Sequence, residues 1–383
     1  MNDINQECYQ KSIDLLKKNS TKHGILASSK SSKARNRAYL NVFGRDASIC
    51  SLGMAVSGDK KLIATAKRSL ETLAKYQADN GQIAFYVKPE KKYADFYYLG
   101  CIDSTLWWLI AIKFFDKNTN YNLEKKFQVK IKKALNWLTC QEHPNFHLIQ
   151  QNGASDWADL MPRSGFVLYS NSLWYWVKRL YNIKNADKTK EYFNYVFDPN
   201  YKISPAIFKK DTRLKKLLSH IPKHPGNPMY VSFVNYTFYG DEGDIFANVL
   251  ASIVGLAEEK KVTQIINFLK KKKANQPFPG KTVLKPITRK DKLWTPRMAH
   301  LNLNKPYQYH NGGIWPYIGG FWLMLLSINN DKKLTEELYN LAKLNKKNNW
   351  EFNECFNGRT GRATGMSGQS WNAAMFILAH KTI

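Results

Sequence analysis

Residues 154–165 read A-S-D-W-A-D-L-M-P-R-S-G and run into an aromatic helical pattern, F-V-L-Y-S-N-S-L-W-Y-W, at 166–176. Asp156 and Asp159 lie three apart around Trp157, so a helical turn here would put both carboxylates on one side, where the indole limits water. A carboxyl in such a place keeps its proton near neutral pH, as a general acid must if it is to protonate a departing oxygen. An equally simple reading makes Asp156 a helix N-cap and Asp159 a first-turn acid stabilised by the helix dipole.

A second acid with a similar neighbourhood stands near the other end of the chain, in W-E-F-N-E-C-F-N-G-R-T-G-R-A-T-G at 350–365. Glu354 is flanked by Phe352 and Phe356, and Gly358, Gly361 and Gly365 mark an irregular loop rather than a helix interior. Loops carried by a rigid scaffold are where chemistry is presented. Glu351 and Glu354 as ordinary surface acids is the plain alternative.

At 383 residues and 44% hydrophobic content, the chain can bury a sizeable core. No linker divides it, and we expect a single domain over residues 1–383. Aromatic residues make up 14% of the chain, 11 of them Trp; aromatic clefts suit the apolar faces of sugar rings. The formal net charge is +28. Nucleic acid is not the expected partner, because lysines are scattered over most polar stretches, greatly outnumber arginines, and no helix-turn-helix, zinc-finger or RNP-type motif is present. The run Lys270–Lys273 reads as a solvated helix end.

Five widely spaced cysteines with no C-x-x-C pair speak against a disulfide framework and against structural zinc. His220 and His224 are four apart, but Pro222 and Pro225 oppose a ligand-bearing helix there. No metal, no cofactor and no membrane contact are expected, and the absence of a signal pattern in M-N-D-I-N-Q-E-C makes the cytoplasm the expected compartment. Self-association is left open.

Taken in order, residues 3–18 have helical spacing and read as an outer helix, and 38–45 as a short extended piece. Helices follow from Asp46 to about Ser57 and from Leu62 to Gln77. An aromatic loop, Tyr93–Gly100, enters a helix at Asp103–Ser104 that carries Trp107 and Trp108. Further helices are read at Leu123–Cys140, Ser170–Tyr181, Lys188–Phe197, Asp244–Glu258, Thr263–Lys273, Gly313–Ile328, Lys332–Leu344 and Gly368–His380, with 198–230 read as strands or loops. About twelve helices alternate between loops rich in Asp, Trp and Gly and plainer connections, which suits an all-α toroid of helical hairpins with its long loops at one end. A generic solenoid would show a repeat signature, and none is found.

Several segments together resemble the six-hairpin glycoside hydrolases, in particular amylo-α-1,6-glucosidase-like proteins and alkaline/neutral invertases. D-W-A-D with Pro162, Arg163 and Gly165 resembles their acid-bearing motif, and N-E-C-F-N-G-R-T-G-R at 353–362 is similar to the segment holding their catalytic base. F-G-R-D at 43–46, I-D-S-T-L-W-W at 102–108 and Y-H-N-G-G-I-W-P at 309–316 resemble segments that line their sugar pocket. The resemblance implies an (α/α)6 barrel and inverting hydrolysis of an α-glucosidic or sucrose-type bond in a small saccharide. Asp159 matches the acid by its offset after Trp157 and is preferred over Asp156; Glu354 stands at the base. Arg45, Asp46, Asp103, Trp107, Trp157, Arg163, His310, Asn311 and Trp315 are the implied sugar-binding set. The sequence departs from the family at Ser170 and Asn171, where a glutamate is usual, and at Cys355, which replaces an aromatic. A silent sugar-binding protein and a sugar epimerase on the same barrel are the rival readings.

Overall fold

Ile102 to Ile112 are buried without interruption, polar Asp103, Ser104 and Thr105 included. A helix covered all round must be surrounded by other helices, whereas one with a single apolar stripe lies outside them. Lys60–Lys75 is of the second kind: Asp59 caps it by accepting the Leu62 N–H at 3.0 Å, and Leu62, Ala66, Leu70 and Leu73 make one buried stripe. These two patterns alternate along the chain.

The computed structural model describes residues 2–96 and 101–382; the Gly100 end of the predicted aromatic loop lies outside the described residues. Twelve helices of nine residues or more are found among them. The odd-numbered ones are outer: α1 (Asn2–Asn19), α3 (Lys60–Lys75), α5 (Gln128–Cys140), α7 (Ala186–Phe197), α9 (Glu259–Lys271) and α11 (Leu334–Lys347). The even-numbered ones are inner: α2 (Gly44–Ala55), α4 (Ile102–Asn118), α6 (Leu168–Leu180), α8 (Ile245–Ile253), α10 (Pro316–Ile328) and α12 (Ser370–Lys381). Each inner helix packs on the next, and α12 returns to α2, closing the ring; α1 packs on α12 and α11 as the sixth outer helix. This is the all-α toroid that the alternation predicted.

The inner helices approach one another closely where glycine permits it. A Cβ on Gly53 of α2 would stand 1.9 Å from the Ala374 carbonyl oxygen of α12, and one on Gly320 of α10 would stand 2.7 Å from Met375 Cβ of α12. All six inner helices start at the same end, where the long loops and two small antiparallel sheets collect. In one, β3 (Val42–Phe43), β4 (Tyr86–Lys88) and β5 (Tyr93–Asp95) pair with Val42 opposite Val87. In the other, β6 (Gln150–Gln151), β7 (Gly165–Val167) and β8 (Phe233–Val234) pair with Phe166 opposite Val234. β1 (Ser20–Thr21) and β2 (Gly24–Ile25) make a separate hairpin after α1.

Three local expectations are corrected. Residues 154–164 do not turn helically but form an irregular loop between β6 and β7. The region 198–230, read as strands or loops, is loop with two short helices, Pro205–Lys210 and Thr212–Leu218, and no strand. The predicted helix Leu123–Cys140 is broken at Phe127 into Leu123–Lys126 and α5. In 198–230 the short, lysine-rich helices are capped locally, as where Asp211 accepts the Leu214 N–H at 3.0 Å, and no apolar period long enough to register is needed. At 123–126 the start is held from α4, where Asp116 accepts the Leu123 and Glu124 N–H groups at 2.8 and 2.7 Å.

Candidate active site

Because the inner helices enter the ring with one polarity, the second residue of each arrives at the same depth. These six residues are Arg45, Asp103, Tyr169, Phe246, Tyr317 and Trp371, and they touch in sequence around the axis. Arg45 Nη1 lies 3.2 Å from Asp103 Oδ2, and the Tyr169 hydroxyl donates to that oxygen at 3.3 Å. Ring centroids then stand 5.5 Å apart for Tyr169 and Phe246, 5.3 Å for Phe246 and Tyr317, and 4.0 Å for Tyr317 and Trp371. The Arg45 guanidinium, 5.8 Å from the Trp371 ring, closes the circle. One arc is charged and the other aromatic, which suits a ligand with hydroxyls on its edge and C–H groups on its face.

Several polar atoms of this floor and its rim are buried and have no hydrogen-bond partner among the described residues: Arg45 Nε, Asp103 Oδ1, Trp157 Nε1, Tyr317 Oη and Trp371 Nε1. Buried polar groups are normally satisfied, so such a concentration around one axis marks a place for a polar ligand. Burial also raises the carboxyl pKa values here. Asp103 is pushed up to about 6, with the Arg45 charge acting against the rise, and Asp46, 3.4 Å from Arg45 Nη2, is raised for the same reason.

Above the floor, the two acids of the 154–164 loop have separate tasks. Asp156 is buried; its Oδ1 accepts the Ala158 N–H at 2.8 Å and its Oδ2 accepts the Gln151 side-chain amide at 2.9 Å, which fixes the loop. Trp157 is held edge-on by Phe246, Trp315 and Tyr317 at 5.5 to 5.8 Å. Asp159 Oδ1 lies 3.7 Å from His310 Nδ1. Burial, with the Arg163 and Arg45 charges, holds the His310 pKa well below its ordinary value. The imidazole is neutral, and this contact is no ion pair. Arg297 Nε donates to the Asp159 carbonyl at 2.8 Å, tying the loop to the 285–303 segment.

Glu354 comes from the loop between α11 and α12. Phe356 exchanges two backbone hydrogen bonds with Ile314, both 2.8 Å, so this loop is clipped to the strand-like entry of α10. The Tyr39 hydroxyl donates to Glu354 Oε1 at 2.7 Å, and the Met366 N–H donates to Oε2 at 3.2 Å. Gly365 is needed here, since a Cβ would meet Glu354 Cβ at 2.6 Å. Burial raises the Glu354 pKa, while the Tyr39 and Met366 hydrogen bonds and the Arg37 charge oppose the rise. Tyr309 stands beside His310 in the loop before α10, its ring centroid 4.0 Å from the imidazole. Burial chiefly raises the pKa of its phenol, and the charges of Glu354 and Asp159 both raise it further. Both acids thus border the 307–314 segment: His310 Nδ1 lies 3.7 Å from Asp159, and the Gly358 and Phe356 N–H groups of the Glu354 loop donate to the Tyr307 and Ile314 carbonyls, both at 2.8 Å.

Of the remaining expected residues, Trp315 donates its indole N–H to the Tyr309 carbonyl at 2.9 Å and stacks on His310 at 5.3 Å. Three are spent on protein partners. Trp107 is fully buried and donates to the Tyr169 hydroxyl at 2.7 Å, while Trp108 points the other way, to the Leu70 carbonyl of α3. Arg163 is 1% exposed, 2.8 Å from Asp244. Asn311 accepts the Ile287 N–H and donates to the Ile287 and Asn304 carbonyls, pinning the loop before α10. Tyr39, Tyr309, Tyr317 and Trp371 were not singled out from sequence. Comparing the second residues of the inner helices would have found the last two. Among the described residues no group of three or more His, Cys, Asp or Glu side chains is placed to hold a metal, and no helix is long and apolar enough to cross a membrane.

Known structures share this architecture. A mannosylglycerate hydrolase from Thermus thermophilus, solved with Tris and D-glycerate, superposes with a TM-score of 0.65 at 12% identity, covering 97% of this chain and 99% of that one. An α-amylase from Clostridium perfringens gives 0.57 at 15% identity, covering 98% and 97%. A rhamnosidase of Bacillus sp. GL1 gives 0.60 at 12% identity, covering 98% of this chain and 34% of that larger one. At these identities the likeness is one of fold. No curated protein sequence matches. Residues 171–383, a span that includes Glu354 and begins after Asp159, match the sequence model of the alkaline and neutral invertases. With more than half of its length in that match, the chain belongs to the alkaline and neutral invertase family of glycoside hydrolases.

Proposed function

We propose that this protein hydrolyses an α-glucosidic or sucrose-type bond of a small saccharide with inversion, Asp159 acting as general acid and Glu354 as general base. What supports the reading is that loops almost two hundred residues apart bring both acids to the segment before α10: Asp159 Oδ1 lies 3.7 Å from His310 Nδ1, and the Glu354 loop is hydrogen-bonded to the same segment at Tyr307 and Ile314, both at 2.8 Å. In the proposed reaction Asp159 gives its proton to the glycosidic oxygen as the bond breaks. Ionised Glu354, held by the Tyr39 hydroxyl and the Met366 N–H, takes a proton from a water that attacks the opposite face of the sugar. Arg45, Asp46 and Asp103 orient hydroxyls by charge-assisted hydrogen bonds, and the unpartnered Trp157, Trp371 and Tyr317 donors complete the polar cradle. Trp157, with Tyr317 and Trp371, supplies the apolar wall.

The test is release of monosaccharide from sucrose, short α-glucans and simple α-glucosides, with the first-formed anomer read by NMR. Asp159→Asn and Glu354→Gln should each lower kcat by about 10²- to 10⁴-fold while calorimetry still detects sugar binding. Retention of anomeric configuration sinks the inverting mechanism. Binding without turnover in the unmodified protein would favour a silent sugar-binding role instead.

A further inference from the structure

The chain's positive charge is not spread evenly over the fold. Lys and Arg outnumber Asp and Glu by 58 to 30 overall, yet segments 30–43, 285–305 and 356–367 together hold twelve Lys and Arg against one acid, Asp291. These three segments border both candidate catalytic acids. The first carries Tyr39, which binds Glu354; the second carries Arg297, which binds the Asp159 carbonyl; the third carries Met366, which binds Glu354.

Residue type sharpens the bias. Only 11 of the 58 basic residues are arginines, and eight of those lie in or beside the loops that lead into inner helices. Arg45 and Arg163 are buried in ion pairs. The other six, Arg35, Arg37, Arg289, Arg297, Arg359 and Arg362, are exposed. Among the described residues Arg35, Arg37, Arg289, Arg359 and Arg362 have no ion pair with a carboxylate. Two of them lie over aromatic rings instead, Arg359 at 3.8 Å from Tyr307 and Arg289 at 5.6 Å from Trp294. If positive charge served only solubility, lysine and arginine would be dealt out alike. Arginine's planar fork is the group that matches carboxylate and phosphate oxygens in pairs, and here it is concentrated at the mouth. A cleft of about 420 Å³ bounded by Ala154, Met161, Lys292, Trp294 and Arg297 adjoins the Asp159 loop, giving room for a leaving group.

We propose that the substrate is an anionic glycoside, one whose portion outside the ring bears a carboxylate or phosphate that these arginines attract and orient. The inference rests on the hydrolase reading above and narrows it. A cationic funnel raises the encounter rate of an anionic substrate by about 10- to 1000-fold, an effect that weakens as salt rises.

The experiment compares kcat/KM of the full chain on matched pairs: a glucoside with a carboxylate on its aglycone against the same glucoside reduced to the alcohol, and a phosphorylated disaccharide against its uncharged parent. The charged member of at least one pair should be favoured by about tenfold or more at low ionic strength, with the advantage shrinking as salt is added. The pair with the larger ratio identifies the anion. Combined Arg289→Gln, Arg359→Gln and Arg362→Gln substitution should bring that ratio towards one. Equal values for charged and uncharged members in both pairs, or a preference indifferent to salt and to the arginines, overturns the proposal. Should no glycoside be turned over, the hydrolase reading is what fails. Calorimetry of the same pairs on the Asp159→Asn, Glu354→Gln protein then decides the charge question: tighter binding of an anionic member upholds the proposal and equal binding overturns it.

Discussion

Tyr39 and the Met366 N–H grip opposite oxygens of a carboxylate that has almost no contact with water. Hydrogen bonds to the ionised form lower a pKa that burial alone would raise further. Removing one of them by Tyr39→Phe should therefore raise the Glu354 pKa. A bond of this kind contributes about 1.5 to 3 kcal/mol, which corresponds to roughly one to two pH units. Since Glu354, as the proposed base, must be ionised, the acid limb of kcat/KM should move upward by that amount, with the fold unchanged by circular dichroism. An acid limb that stays where it was would leave Tyr39 without this positioning role. His310 contributes differently. Held neutral, it can sit against Asp159 without drawing off the proton that the proposed acid must keep.

Helix packing sets two further expectations. Gly53 lets α2 touch the α12 backbone at Ala374, and Gly53→Ala would push a methyl into a carbonyl oxygen that cannot rotate away. Overpacking of this sort costs about 1 to 3 kcal/mol and sometimes more, whereas the gain in helix propensity is only about 1 kcal/mol. A net loss of stability in denaturant titration is expected, and a variant as stable as the parent would show that the ring can spread. On α11, buried Glu337 accepts the Asn275 side-chain amide, and burial pushes its pKa up to about 7. Its folded pKa lies above the unfolded one, so its contribution to stability is complete below about pH 4.5 and is lost as pH rises through 7. Glu337→Gln should accordingly stabilise the protein at pH 8, by up to about 3 kcal/mol, and change little at pH 4. The reverse order of the two pH values would contradict the assignment.

In the whole molecule, the first and last helices are neighbours. Cys8 and Leu16 of α1 are fully buried against the end of the chain, and the Asn19 amide donates to the Gly368 carbonyl and the Ser370 hydroxyl, both at 2.9 Å. An open solenoid would fray from its ends, whereas a closed ring has none. Amide exchange in the buried turns of α1 and α12 should thus be as slow as in α4 and α6. Fast exchange confined to α1 would mean that the closure is weak. The same closure turns six helix starts towards one opening and makes a single floor from six residues that are each unremarkable locally.

Much of this was legible without coordinates. The alternation of helices buried all round with helices bearing one stripe, twelve in number, follows from residue spacing, because burial on every side and burial on one side leave different periods. Asp159 and Glu354 stand out as candidates because an acid among aromatics and glycines is costly and therefore conspicuous. Local pattern could not show that residues 154–164 stay irregular. There the Gln151 side chain and the Ala158 N–H claim Asp156, and the Trp157 ring is fixed by Trp315 and Tyr317 from far along the chain. Nor could it separate Trp107, Arg163 and Asn311, which are occupied by Tyr169, Asp244 and Ile287, from the residues that meet at the mouth. Composition and period decide which faces are buried; which polar group finds a protein partner, and which is left facing the axis, depends on loops that meet only when the ring closes.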